Sequence, residues 1–204
     1  EAAEIAVTQS LKSLDKSNKS LQIGMVVTDK YTGGIAAMVG DKTPGFDGFN
    51  RAVEIRRPIG SLIKPFVYAN ALAPNIQYTL ATPLKDQPIT LKSEQGKTWS
   101  PQNFDKKFSG QVPLLTALKK SMNVPTVNLG IAVGVDAVAT TLAKSGWQEP
   151  LNEYPSMLLG AVNGSPLMVA QVYQTLADSG VYRKLTTVTA VLDSDKNPLP
   201  VTRL

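Results

Sequence analysis

Pro58-Ile59-Gly60-Ser61-Leu62-Ile63-Lys64-Pro65-Phe66 sets a serine and a lysine three residues apart at the start of a helical, mostly apolar run that continues to about Leu72. Gly60 permits a sharp turn, and Ser61 opens the helix. Residues three apart on a helix are neighbours, so Lys64 can reach back to the Ser61 hydroxyl. A serine at a helix N-terminus sits in positive potential, which favours an alkoxide and the oxyanion of a tetrahedral intermediate. Leu62, Ile63 and Phe66 flank Lys64, and desolvation beside a positive helix end lowers an amine pKa toward that of a usable base. Pro65 has no N–H to donate to Ser61, so the first turn either lacks that bond or tightens to a 3₁₀ form, which brings the pair closer.

Ser-x-x-Lys alone is a weak signal. A second copy, Ser13-Leu14-Asp15-Lys16, has polar neighbours and reads as an ordinary helix surface. Ser121-Met122-Asn123 adds weight, because it falls between a helix ending at Lys120 and one starting at Pro125. A loop there can present a hydroxyl and a carboxamide to a cleft. The hydroxyl can relay a proton between Lys64 and a leaving amine, and the amide can hold a peptide by donor and acceptor together. The plainer reading is that Ser121 caps the following helix; one residue can do both.

Composition narrows the chemistry. The 204 residues contain no His and no Cys. A Ser-His-Asp triad, a cysteine nucleophile, a His/Cys zinc site and a redox disulfide are all excluded. Acid–base work falls to Lys, Asp, Glu or Tyr, and neither a metal nor a cofactor is expected. The formal charge of +5 suits anionic surroundings. Nucleic acid is not the expected partner: Arg56-Arg57, Lys106-Lys107 and Lys119-Lys120 are scattered pairs that lack an aromatic stacking platform.

The rest of the chain predicts an α+β fold. A helix covers residues 2 to about 16, and Leu21 to Val27 and Ile35 to Val39 form a hairpin around the turn at Asp29 to Gly34. Residues 73–112 are polar and punctuated by Pro and Gly, with short extended pieces such as Ile89 to Leu91. Helices follow at Leu114 to Lys120, Pro125 to Val133 and Val135 to Ser145, the last closed by Gly146. Ser165-Pro166 starts another, which runs to Ser179 with Gly180 as its stop. Thr186 to Asp193 is a β-branched run predicted as a strand. One domain, or one domain with a subdomain, is expected, since 43% apolar content allows a real core and no linker or repeat divides the chain.

Ser-x-x-Lys followed by a Ser-x-Asn loop is the signature of penicillin-binding proteins and serine β-lactamases. The segments Asn50-Arg51-Ala52, Arg57 to Pro65, Trp99-Ser100-Pro101-Gln102-Asn103 and Ser121 to Gly130 resemble the transpeptidase domain of class A, bifunctional penicillin-binding proteins. Met157-Leu158-Leu159-Gly160-Ala161 and Ala170-Gln171 fit as well, and the likeness is strongest to the 1B type. The resemblance implies a penicillin-binding protein/serine β-lactamase-like fold, an antiparallel sheet packed with helices plus a helical subdomain. It implies D,D-transpeptidation: Ser61 is acylated by a stem peptide ending in D-Ala-D-Ala, Lys64 and Ser121 carry protons, and Asn123 contacts the substrate. β-Lactams would acylate Ser61 in the same way. Cell-wall synthesis and activator proteins are the implied protein partners. The implied location is the periplasmic face of the bacterial inner membrane, with the anchor outside these residues.

Rivals of the same fold are a serine β-lactamase and a non-enzymatic penicilloyl sensor. Glu149-Pro150-Leu151-Asn152 is one residue short of the lactamase Glu-to-Asn spacing and reads as a turn. The family also carries a Lys-Thr/Ser-Gly triplet on a late strand. Lys144-Ser145-Gly146 has the letters but reads as a helix end, and Thr32-Gly33 belongs to the first hairpin turn. Residues 1–204 are therefore expected to be a partial transpeptidase domain ending before that strand, with the C-terminal strands and the glycosyltransferase domain missing. On that expectation the strand is either a separate piece or the fragment is catalytically crippled.

Overall fold

The computed structural model describes residues 1–14, 20–74, 78–92, 96–188 and 190–199. In chain order its elements are α1 (Ala2–Leu14), β1 (Met25–Thr28), β2 (Ile35–Val39), β3 (Arg57–Pro58), a 3₁₀ turn (Gly60–Ile63), α2 (Lys64–Ala71), β4 (Pro83–Asp86), β5 (Leu91–Lys92), β6 (Thr98–Trp99), β7 (Gly110–Pro113), α3 (Leu114–Lys119), α4 (Asn123–Val133), α5 (Val135–Lys144), a second 3₁₀ turn (Pro155–Leu159), β8 (Asn163–Gly164) and α6 (Pro166–Ala177). Among the described residues no single helix is long and apolar enough to cross a membrane. They fall into two compact units interleaved in sequence, Glu1–Arg56 with Ser145–Trp147 and Ser165–Leu204, and Arg57–Lys144 with Gln148–Gly164.

The first unit is built on the expected hairpin, with Met25 opposite Val39 and Val27 opposite Ala37. Its turn is held by Asp29, whose Oδ1 accepts from the N–H of Tyr31 and from both the N–H and hydroxyl of Thr32. α6 packs on β1. Ser165 caps α6 by accepting from Met168 N–H, and Pro166 follows where its missing N–H costs nothing. Buried Gln174 ties α6 to the hairpin: its Oε1 accepts from Thr28 Oγ1 at 2.9 Å and its Nε2 donates to Lys30 O.

The second unit carries the helical core. Ile63, Phe66, Val67 and Ala71 are fully buried, as are Leu114, Ala117, Val124, Val127, Leu142 and Leu158. α2 lies against α4 and α5. A polar seam crosses this core. Thr126 Oγ1 donates to Met122 O, so Tyr68 is the donor in its 3.0 Å bond to Thr126 Oγ1.

Helical expectations for Leu114 to Lys120, Val135 to Ser145 and Ser165 to Ser179 hold to within two residues, and Gly146 and Gly180 follow α5 and α6 at φ 105° and 89°. The expected mix of helices and antiparallel β-structure is present. Among the described residues the strands form four two-stranded antiparallel pairs, β1–β2, β3–β8, β4–β7 and β5–β6. Thr186 to Asp193 is not a strand there. Thr186 makes a lone parallel bridge to Gly34, and Leu192 an antiparallel one to Pro198. A β-branched run specifies an extended chain but not a partner, and ladders need one.

Candidate active site

The approach to Ser61 is held by backbone. Arg57 pairs with Gly164 and Pro58 with Asn163. Ile59 N–H then donates to Val162 O at 2.9 Å, and Gly60 N–H to Gly160 O at 3.1 Å. Gly60 sits at φ 56°, a left-handed turn that suits glycine. Gly160, at φ 77°, lies directly on Gly60. Two segments a hundred residues apart thus fix where the helix begins.

The first turn is 3₁₀, one of the two forms that Pro65 allows. Lys64 N–H donates to Ser61 O, the i to i−3 bond that replaces the α-helical bond Pro65 is unable to make. In such a turn positions three apart eclipse, which sets Ser61 and Lys64 on one side. Ser61 is exposed; Lys64, one turn deeper, is 1% exposed.

Lys64 Nζ spends its three donors on one loop. It donates to Ser121 O at 2.6 Å, to Asn123 Oδ1 at 2.7 Å and to Ser121 Oγ at 3.1 Å. All three acceptors are uncharged. Burial therefore dominates, and it pulls the amine down from 10.5 to about 8. Among the described residues no hydrogen bond reaches Ser61 Oγ; the expected Ser61–Lys64 contact is absent as a bond, and the lysine's bonds go to Ser121 and Asn123 instead.

Ser121 does not cap α4. It sits at φ 51°, a left-handed conformation uncommon for serine, and no side-chain cap is made by Met122 at the helix start. The unusual backbone turns both its carbonyl and its hydroxyl to Lys64. Capping comes from outside the helix. Asn103 Oδ1 accepts from Asn123 N–H at 3.0 Å and from Val124 N–H at 3.1 Å. Asn123 Nδ2 donates to Gln102 O at 2.9 Å, which leaves its Oδ1 facing Lys64. Pro125 lies in the first turn of α4, two residues inside the observed start.

Ser61, Lys64, Ser121 and Asn123 all lie within the second unit, and the last three are hydrogen-bonded together. Lys144 ends α5, and Thr32-Gly33 lies in the β1–β2 turn. Residues 149–152 form an irregular connection between α5 and the second 3₁₀ turn, as a turn reading expects. Asp15 and Lys16 of the other Ser-x-x-Lys lie outside the described residues. Asn103 lies in one of the resembling segments but shows no task in the sequence, and nothing in the sequence points to Asp86. The one available signal was an Asn 20 residues ahead of an uncapped helix start.

Residues 23–203 match the family described as penicillin binding protein transpeptidase domain. Penicillin-binding protein 1B of Vibrio cholerae is 46% identical over 198 residues, covering 96% of this chain and 26% of its own length. That of Escherichia coli is 44% identical over 200 residues, covering 96% and 24%. The crystal structure of penicillin-binding protein 1A from Haemophilus influenzae matches with a TM-score of 0.80 at 27% identity, over 89% of this chain and 27% of that one. The chain thus spans about a quarter of the length of the curated relatives it matches.

Proposed function

The chain belongs to the family of penicillin-binding protein transpeptidase domains, and on that footing we propose that it supplies the nucleophile-bearing part of a serine-type D,D-transpeptidase that cross-links peptidoglycan stem peptides. The observation that carries this is the Lys64 amine. It is buried, drawn down to about 8, one 3₁₀ turn from Ser61 and bonded to both Ser121 and Asn123.

The reaction follows from those groups. Ser61 Oγ attacks the carbonyl carbon of the penultimate D-Ala while its proton passes to neutral Lys64. To take it, Lys64 exchanges one of its loop acceptors for the serine, a tightening common when substrate binds. The tetrahedral intermediate collapses by breaking the C–N bond, and the departing D-Ala nitrogen receives a proton through the Ser121 hydroxyl, which Lys64 replenishes. An amine of a second stem then attacks the ester, forming the new amide and returning the hydrogen to Ser61. Asn123 aligns the peptide by its carboxamide. A β-lactam enters the same first step, but its leaving nitrogen stays tethered and the acyl-enzyme persists.

We place the protein at the periplasmic face of a bacterial inner membrane, held by a segment outside residues 1–204 and working with other cell-wall synthesis and activator proteins. The likeness to proteins named penicillin-binding protein 1B supports this. The test is to supply the intact protein with lipid-linked peptidoglycan precursor and analyse the products by chromatography and mass. Cross-linked stem dimers with the wild type and none with Ser61→Ala are expected. Their absence with the wild type overturns the proposal.

A further inference from the structure

Asp86 is fully buried, with no role in the chemistry above. It closes β4, and its two side-chain oxygens are both taken: Oδ1 accepts from Asn103 Nδ2 at 2.7 Å and Oδ2 from Ser109 N–H at 2.8 Å. Asn103 is 5% exposed, and each of its four hydrogen-bonding positions is occupied. Nδ2 donates to Asp86 and, at 2.8 Å, to Lys107 O; Oδ1 accepts the two N–H groups that open α4. No other side chain meets this pattern. Aspartate lacks both donors, and alanine leaves the N–H groups of Asn123 and Val124 and a buried carboxylate oxygen unpaired.

Asn123 hangs from this arrangement at two points. Its backbone N–H is bound to Asn103 Oδ1, and its side-chain Nδ2 to the carbonyl of the adjacent Gln102. The first fixes where the Asn123 backbone stands at the start of α4, and the second fixes which face of its carboxamide meets Lys64. A free carboxamide could turn its NH₂ toward the amine, setting donor against donor. The Gln102 carbonyl blocks that orientation by demanding the NH₂ for itself.

We infer that Asp86 and Asn103 are positioning residues for the transpeptidase site: the buried Asp86–Asn103 pair, through the start of α4, holds the Asn123 carboxamide oxygen on Lys64. This rests on the function proposed above, and it assigns roles to two residues that touch neither substrate nor the reacting serine.

The test uses the intact protein and the second-order rate of acylation by a fluorescent penicillin, measured across pH, beside far-ultraviolet circular dichroism and a thermal melt. Asn103→Ala is expected to slow acylation of the folded protein roughly 10- to 100-fold and to move the midpoint of its pH profile, since a small misplacement of catalytic groups costs that much. Asp86→Asn is expected to slow it as well, by setting an NH₂ against Ser109 N–H or Asn103 Nδ2. The exchange variant carrying Asp86→Asn and Asn103→Asp keeps an acceptor on α4 and restores a donor–acceptor pair between the two positions, though Lys107 O loses its donor, so it is expected to recover part of the rate lost in Asp86→Asn. Unchanged rate and pH midpoint in folded Asn103→Ala, or no recovery in a folded exchange variant, overturns the inference. Failure of the wild type to be acylated at all instead removes the functional reading beneath it, which separates the two.

Discussion

Gly160 lies against Gly60 with no room for a methyl between them: a Cβ on Gly160 would stand 2.0 Å from Gly60 O and 2.4 Å from Gly60 N. The contact is backbone on backbone, so neither side can yield by changing a rotamer. Gly160→Ala is therefore expected to cost about 3 kcal/mol or more, combining a clash with a left-handed φ. It should also push the 3₁₀ turn carrying Ser61 out of place. Gly60→Ala meets open space and suffers only its φ of 56°, a cost of about 1–2 kcal/mol. Thermal melts of the two variants check the order. Equal losses would contradict it.

As the proposed base, Lys64 must be neutral to accept the Ser61 proton. With its amine drawn down to about 8, acylation by penicillin is expected to rise with pH and level off above that value. Lys64→Arg keeps the charge but cannot lose its proton, and should all but abolish acylation. Stopped-flow acylation rates from pH 6 to 10 measure this. A rate independent of pH would speak against Lys64 as the base.

Desolvation of Lys64 also ties stability to pH. Its folded value of about 8 lies below the ordinary 10.5, so between them the unfolded chain holds a proton that the folded one lacks. Raising pH through that window then favours the fold. The cost of burying the charged amine is fully present below about 8 and is gone above 10.5. Melting temperatures of wild type and Lys64→Met, compared at pH 8 and 10.5, should show the wild type gaining on the variant. A constant difference would refute the linkage.

Ser121 joins function to local strain. Ser121→Gly relieves the φ of 51° and should hold or raise stability by about 1 kcal/mol, while Ser121→Ala keeps the strain and gains nothing. Both remove the hydroxyl bonded to Lys64, so both should slow acylation. Paired melts and acylation rates check the split. Loss of activity confined to the alanine variant would contradict a role for the hydroxyl.

What could be read from the chain was what is local to it. The 3₁₀ turn, one of two forms expected beside Pro65, and the Ser165-Pro166 helix start each depend on a few adjacent residues, and both appear in the structure. The Asn103 cap was hidden because its helix lies 20 residues on and the link is made through space. Ser121 looked like that cap because serine commonly is one, whereas here its left-handed backbone aims it at Lys64 instead. Strand partners were equally illegible: nothing near Pro58 in sequence announces Asn163. The chain also divides between Arg56 and Arg57 without any Pro- or Gly-rich linker to mark the place.

The claim beneath all of this is that Ser61 is the residue acylated. Intact protein treated with benzylpenicillin, digested and mapped by tandem mass spectrometry, should carry one penicilloyl group on the peptide containing Ser61, with none on Ser61→Ala. A penicilloyl group found on Ser121 or any other residue, or retained by Ser61→Ala, would contradict the account.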